Sequence, residues 1–211
     1  MTKPELRYGA FALQGWKLEY TGWDATSAWE RTKERAQLTE RLGYHHLWVY
    51  DHVETVPRRE PTHMFEAFTT LAALAQHTST IKLGQLVTCA AYRNAGVLAK
   101  EAACVDVFSG GRLILGLGAG WYEREYQAYG IPFPRAGVRL QILDETLGEL
   151  RELLGALPRA RRVPAGVLEL PTLERERAVT QLRLRHAAPC SSARGMPLKS
   201  HHWISIIIGN R

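Results

Sequence analysis

The chain reads as an α/β protein built on a parallel sheet, and three observations predict it. Apolar strand-like runs alternate with helical stretches four times within residues 1–154, which implies parallel strands joined by crossover helices. Polar residues with chemical use fall just past the strand ends, at Gln14, Asp51-His52 and Thr88-Cys89. That face carries the site in α/β barrels and in open α/β sheets alike, so the pattern alone leaves both open. Third, the apolar run 113–117 opens into Gly116, Gly118 and Gly120, followed by Trp121, Tyr122 and Glu123. A buried strand that opens into a ligand-facing loop has this pattern: glycines admit a close backbone approach, aromatics give a flat wall and the acid a carboxylate.

The elements follow in order. Residues 6–13 predict a first strand ending at Gln14-Gly15. Ser27 and Glu30 have capping-box spacing and Gly43 stands where a helix over 27–42 would stop. Residues 46–50 predict a second strand, 64–76 a second helix and 81–88 a third strand. Asn94 is placed to cap a third helix running to about residue 107. Gly110-Gly111 turns into the fourth strand, and a short helical piece spans 121–129 before Pro132 and Pro134. Leu140, Leu143, Leu147, Leu150 and Leu154 recur at steps of three and four, one apolar stripe of a long helix that Gly155 would end.

Charge divides the chain at the same place. Residues 1–154 carry seventeen basic and eighteen acidic side chains; residues 155–211 carry ten basic and three acidic, for a net +7 in the tail. A basic tail without interleaved aromatics on a near-neutral body argues against a nucleic-acid-binding footprint and for a solvated segment. The terminal run 203–208 is β-prone and reads as an edge strand or an adhesive segment. No apolar run reaches the roughly 20 residues a membrane span needs, and residues 1–7 are polar rather than signal-like. Three cysteines without metal-ligand spacing point to reduced thiols and a cytoplasmic setting. The histidine pairs His45-His46 and His201-His202 are adjacent rather than one helical turn apart, so no metal site is expected.

Histidine as a residue type can hold or pass a proton near neutral pH, which makes His52 a candidate for proton transfer. A polar strand end that caps a loop is the other reading of Asp51-His52. Neighbours on a strand point to opposite faces, so one of the two faces a site there. The glycine cluster has G-x-G-x-G spacing, not the dinucleotide-binding G-x-G-x-x-G. Trp121, Tyr122 and Tyr126 can stack on a ring ligand or pack a short helix.

Several stretches together carry a resemblance: Leu47-Trp-Val-Tyr-Asp-His52, Ile81-Lys-Leu-Gly-Gln-Leu-Val-Thr88, Tyr92-Arg-Asn94, Leu98-Ala-Lys100 and Val105-Asp-Val-Phe-Ser-Gly-Gly-Arg-Leu113 on to Gly130. Over about residues 6–154 the chain resembles the luciferase-like monooxygenase superfamily, most closely its deazaflavin (coenzyme F420)-dependent branch. The resemblance implies a (β/α)8 barrel with the cofactor at the C-terminal face of the strands. It implies Asp51 and His52 beside the cofactor ring, a non-prolyl cis bond at Gln85–Leu86 that presses Leu86 to the ring, and Thr88 close by. Gly118 and Gly120 would pass near the cofactor, with Trp121 where some relatives carry a proton-donating glutamate. His52 and Glu123, the nearest carboxylate, are the implied catalytic pair.

The implied activity is hydride transfer between coenzyme F420 and a small organic substrate, with FMN and molecular oxygen as the alternative chemistry. Four units fill about 154 residues, so eight would need roughly 300. The expectation is therefore a barrel truncated after its fourth unit, followed by a basic tail, 155–211, of non-family sequence. Strand edges left open that way predict self-association, and a remnant without turnover is the third functional reading.

Overall fold

The computed structural model describes residues 6–155 and the strand 205–208. Four parallel strand positions alternate with helices. They are β1 (Gly9–Phe11), β2 (His46–Val49), β3 (Lys82–Gln85) with its short continuation β4 (Thr88–Cys89), and β5 (Leu113–Gly118). The helices are α1 (Ala25–Arg41), α2 (Ala67–His77), α3 (Ala95–Phe108), the short α4 (Glu123–Ala128) and α5 (Ala136–Gly155). The register sets Gly9 beside His46, Trp48 beside Gly84, Gly84 beside Ile114 and Thr88 beside Leu117.

One apolar core lies between the sheet and the helices. Leu47 and Val49 of β2, Leu83 of β3, and Leu115 and Leu117 of β5 bury against Ala36 of α1, Leu71 and Leu74 of α2, Leu98 and Ala102 of α3, and Leu143, Leu147, Leu150 and Leu154 of α5. The predicted leucine stripe is thus the helix face that packs, with Leu140 half-buried at its start. Strand residues that alternate with the core set point the other way. Trp48 there spans the strands on both sides: a Cβ on Gly9 would lie 2.5 Å from its Nε1, and one on Gly84 2.7 Å from its Cζ3. Helices packed on a single face of a parallel sheet are the barrel arrangement and not the doubly wound one.

Polar side chains close the helix ends. Arg112, buried, donates to the carbonyls of Ala75, Thr78 and Ile81, satisfying groups that the end of α2 leaves open. Glu40 of α1 accepts from the amides of Ser79, Thr80 and Ile81 and so fixes the approach to β3.

The structure differs from expectation at four places. The α1 cap is Asp24, whose carboxylate accepts from Ser27 N at 2.9 Å, so Ser27 lies inside the helix. Glu66 caps α2, which therefore starts three residues later than predicted. The third strand is interrupted, and its cis bond joins Leu86 to Val87 rather than Gln85 to Leu86. The free edge of β5 is paired within the chain: β6 (Ser205–Ile208) runs antiparallel to it, with Leu115 opposite Ile208 and Gly118 opposite Ser205. Readings of residues 156–204, including Trp203, lie outside the described residues. Among the described residues no helix is long and apolar enough to cross a membrane.

Candidate active site

The strand ends bring an aromatic cluster together on the face away from the helices. Tyr50 stacks on Phe11, with ring centroids 4.3 Å apart, and meets Trp16 at 4.1 Å. Trp16 lies flat on His52 at 4.2 Å with 5° between the planes. Trp121 and Tyr122 approach the same imidazole edge-on at 6.0 and 6.2 Å. Phe11 and Trp121 remain 44% and 45% exposed, which leaves flat apolar surface open at the rim. Trp16 is buried, and among the described residues its indole Nε1 has no hydrogen-bond partner.

His52 is held by a carboxylate. Its Nδ1 lies 2.8 Å from Glu125 Oε2. Glu125 is fully buried. Its Oε1 accepts from the amides of Val53 and Glu54, and its Oε2 also accepts from Tyr92 Oη at 2.7 Å. Burial raises the Glu125 pKa. Hydrogen bonds and charge from His52, with the Tyr92 hydroxyl and the Glu54 amide, outweigh that and leave it below the ordinary glutamate value. The Tyr92 phenol is pushed up by burial and then by Glu125, so it serves as a donor.

Asp51 points the other way. It is buried, accepts from Cys89 N at 2.8 Å and takes a two-point ion pair from Arg93 at 2.7 and 2.8 Å. Arg93 also reaches Glu66 at 2.6 Å and Glu101 at 3.2 Å. The cluster ties the end of β2 to β4, to the start of α2 and to α3.

The remaining predicted residues fall as follows. Glu123 is exposed and accepts from Gln127 one turn along α4, so the carboxylate that reaches His52 is Glu125. Thr88 is fully buried and its hydroxyl donates to Gln85 Oε1. Leu86 is half-buried, with its amide donating to Val49 O. The spaces beside Gly118 and Gly120 are filled from within the chain. A Cβ on Gly118 would meet Val87 Cγ2 at 2.6 Å, and one on Gly120, whose φ is +73°, would strike the Tyr126 hydroxyl and the Cys89 sulfur. Gln14 is a clamp between elements: its amide donates to Tyr50 O and Phe65 O and accepts from Tyr50 N. Burial pushes the Cys89 thiol up to about 11, and the thiol pairs with Tyr126 Oη, so it is no thiolate nucleophile at neutral pH.

Sequence reasoning missed Trp16, Tyr92 and Glu125. Trp16 follows the first strand end just as His52 follows the second, and that shared place was the available signal. Nothing local separates Glu125 from Glu123.

Comparison with known proteins identifies the family and the fold. Residues 11–171 match the family model described as luciferase-like monooxygenase, a match that runs past residue 154. A 5,10-methylenetetrahydromethanopterin reductase from Methanolobus tindarius is 33% identical over 119 residues, which is 56% of this chain and 32% of that protein. An F420-dependent glucose-6-phosphate dehydrogenase from Amycolatopsis mediterranei is 33% identical over 122 residues, 57% of this chain and 36% of that protein. The chain thus spans about a third of the length of these curated relatives. Among solved structures, the monooxygenase RslO1 from Streptomyces bottropensis superposes with a TM-score of 0.59 at 21% identity, covering 80% of this chain and 49% of that one. That likeness supports the barrel fold.

Proposed function

We propose that this chain, which belongs to the luciferase-like monooxygenase family, is an oxidoreductase that acts with a deazaflavin, coenzyme F420, on a small organic substrate. The observation that carries the reading is His52: an imidazole set among aromatic plates at the strand ends, with Nδ1 on a buried carboxylate. The residues fit a flat heteroaromatic ring. Trp121 and Phe11 are partly exposed rings, and Trp16 Nε1 is a buried donor without a partner among the described residues.

When bound, the deazaflavin supplies a two-electron ring that exchanges hydride with the substrate. A substrate that loses a hydride from a C–H bond must also lose a proton from the adjacent O–H or N–H group; His52 Nε2 would take that proton in oxidation and return it in reduction. Trp16, stacked on His52, holds the plane of the imidazole. FMN with molecular oxygen is the second reading, favoured by a flavin-dependent monooxygenase relative, from Acinetobacter baylyi, that is 33% identical over 110 residues.

Titration of the 211-residue chain with coenzyme F420, with FMN in parallel, tests the proposal. Saturable deazaflavin binding that weakens at least about tenfold in His52→Ala and in Trp121→Ala is expected, the loss of one stacked or hydrogen-bonded contact. Saturable binding of FMN alone would move the reading to flavin chemistry. Binding of neither by the folded chain would overturn it.

A further inference from the structure

His52 has two ring nitrogens, and the structure treats them differently. Nδ1 sits on Glu125 Oε2 at 2.8 Å. Among the described residues no protein group pairs with Nε2. The neutral imidazole carries one proton, and which nitrogen bears it decides which can accept another.

The answer follows from the donors around Glu125. An ionised carboxylate only accepts. Its Oε1 is occupied by two backbone donors, Val53 N at 2.8 Å and Glu54 N at 3.0 Å. Those donors cannot turn, so they fix the carboxylate in one orientation. Its Oε2 is left for Tyr92 Oη at 2.7 Å and His52 Nδ1. A buried carboxylate oxygen facing Nδ1 requires a hydrogen there. Stacking on Trp16 then fixes the ring plane, so the lone pair on Nε2 has a set direction.

We infer that Glu125 is the positioning residue of this site: it holds His52 in the Nδ1–H tautomer, with Tyr92 as its second lock, and makes Nε2 the proton-accepting atom. This rests on the reading of His52 as the proton-handling group and supplies the atom that reading needs. Glu125 acts through His52, since its four hydrogen bonds are all to protein.

Two-bond 1H–15N correlation spectra of the full chain labelled with 15N-histidine read the tautomer directly, with the His52 signals assigned from a His52→Gln variant. Free histidine in water favours Nε2–H, so the expected result is a reversal. In the neutral wild-type ring, the Nδ1–H form should exceed the other by at least about tenfold, as a charge-assisted hydrogen bond dictates. Glu125→Gln is the matching variant. The Val53 and Glu54 amides keep the side-chain oxygen on their side, which turns the NH2 toward His52. Nδ1 must then accept, and the tautomer should switch to Nε2–H. Unchanged signals from His46 and His77 would show that the variant is folded.

A wild-type ring in the Nε2–H form would overturn the inference without any variant, and so would a folded Glu125→Gln protein whose tautomer is unchanged. Neither result depends on a bound cofactor. Loss of the functional reading in the titration with an Nδ1–H ring intact would leave Glu125 in its assigned role.

Discussion

β2 and its extension carry a histidine at each end, and the two are built for opposite purposes. Along this stretch His46, Trp48, Tyr50 and His52 alternate with Leu47, Val49 and Asp51. His46 stacks near Trp48 at 5.4 Å, and Tyr50 meets His52 at 6.4 Å. At the N-terminal end His46 faces positive charge from His45, Arg7 and Lys82. At the C-terminal end His52 faces the buried carboxylate of Glu125. Burial, then nearby cations, keeps one imidazole neutral; a buried carboxylate orients the other. Ring type and strand position are shared, and the two surroundings differ in burial and in the charge placed against the ring.

The same contrast holds between neighbours. Asp51 and His52 adjoin in sequence, yet Asp51 belongs to the fold and His52 to the open face. Replacing Asp51 with alanine breaks this contrast most severely. Arg93 is only 13% exposed and would lose its two-point partner, and Cys89 N its acceptor. Removing one member of a buried pair is strongly destabilising, and since Glu66 and Glu101 still face Arg93 the loss should sit at the low end, about 3 kcal/mol. Urea unfolding would measure it. His52→Ala removes one stacked ring and one of four hydrogen bonds to Glu125, whose other three donors remain, and should cost clearly less. Equal losses would show that both residues serve the fold and would remove the distinction.

How much of this the sequence discloses depends on the range of the interaction. The four strand–helix units, the Asn94 cap and the leucine stripe of α5 were legible because each rests on contacts or periodicities within one element. So was the opposed facing of Asp51 and His52, which strand geometry dictates. The boundaries of α1 and α2 shifted because Asp24 and Glu66 satisfy the same amide donors that Ser27 would, and local pattern does not rank them. The glycine cluster was read as space for a ligand. In the structure Val87, Tyr126 and Cys89 occupy that space, brought there by the path of the chain after β3 and by α4. Glu125 was missed for the same reason: its four donors come from residues more than thirty positions away.

The wall between the two ends of β2 can be tested next. Gly84 lies under Trp48, and a methyl group there would stand 2.6 Å from the Ile114 carbonyl oxygen as well as 2.7 Å from the indole. The backbone oxygen cannot swing aside as a side chain can, so Gly84→Ala should cost about 1–3 kcal/mol by overpacking. Gly148→Ala on α5 is the control. No atom lies within 4 Å of its added methyl group, and the change should stabilise by up to ~1 kcal/mol through helix propensity. Because the added methyl group displaces the Trp48 indole, the Gly84 variant should also weaken near-ultraviolet dichroism from that ring while the control leaves it unchanged.

A pH dependence isolates the N-terminal histidine. Burial, then the charges of His45, Arg7 and Lys82, hold His46 at about 4, well below its ordinary 6.5. Between those values the unfolded chain binds a proton that the folded chain refuses. His46 therefore contributes stability that is complete above 6.5, falls as pH drops through that value, and has gone below about 4. The depressed carboxylates Glu66 and Glu125 also lose stability on acidification, but only below the ordinary glutamate value of 4.5. The two windows are separable. His46→Gln should flatten the loss between about pH 6.5 and about pH 5 in denaturant unfolding, and leave the steeper loss at lower pH in place. An undiminished loss in the upper window would assign it to another group, and the electrostatic contrast between the two ends of β2 would then need a different physical basis.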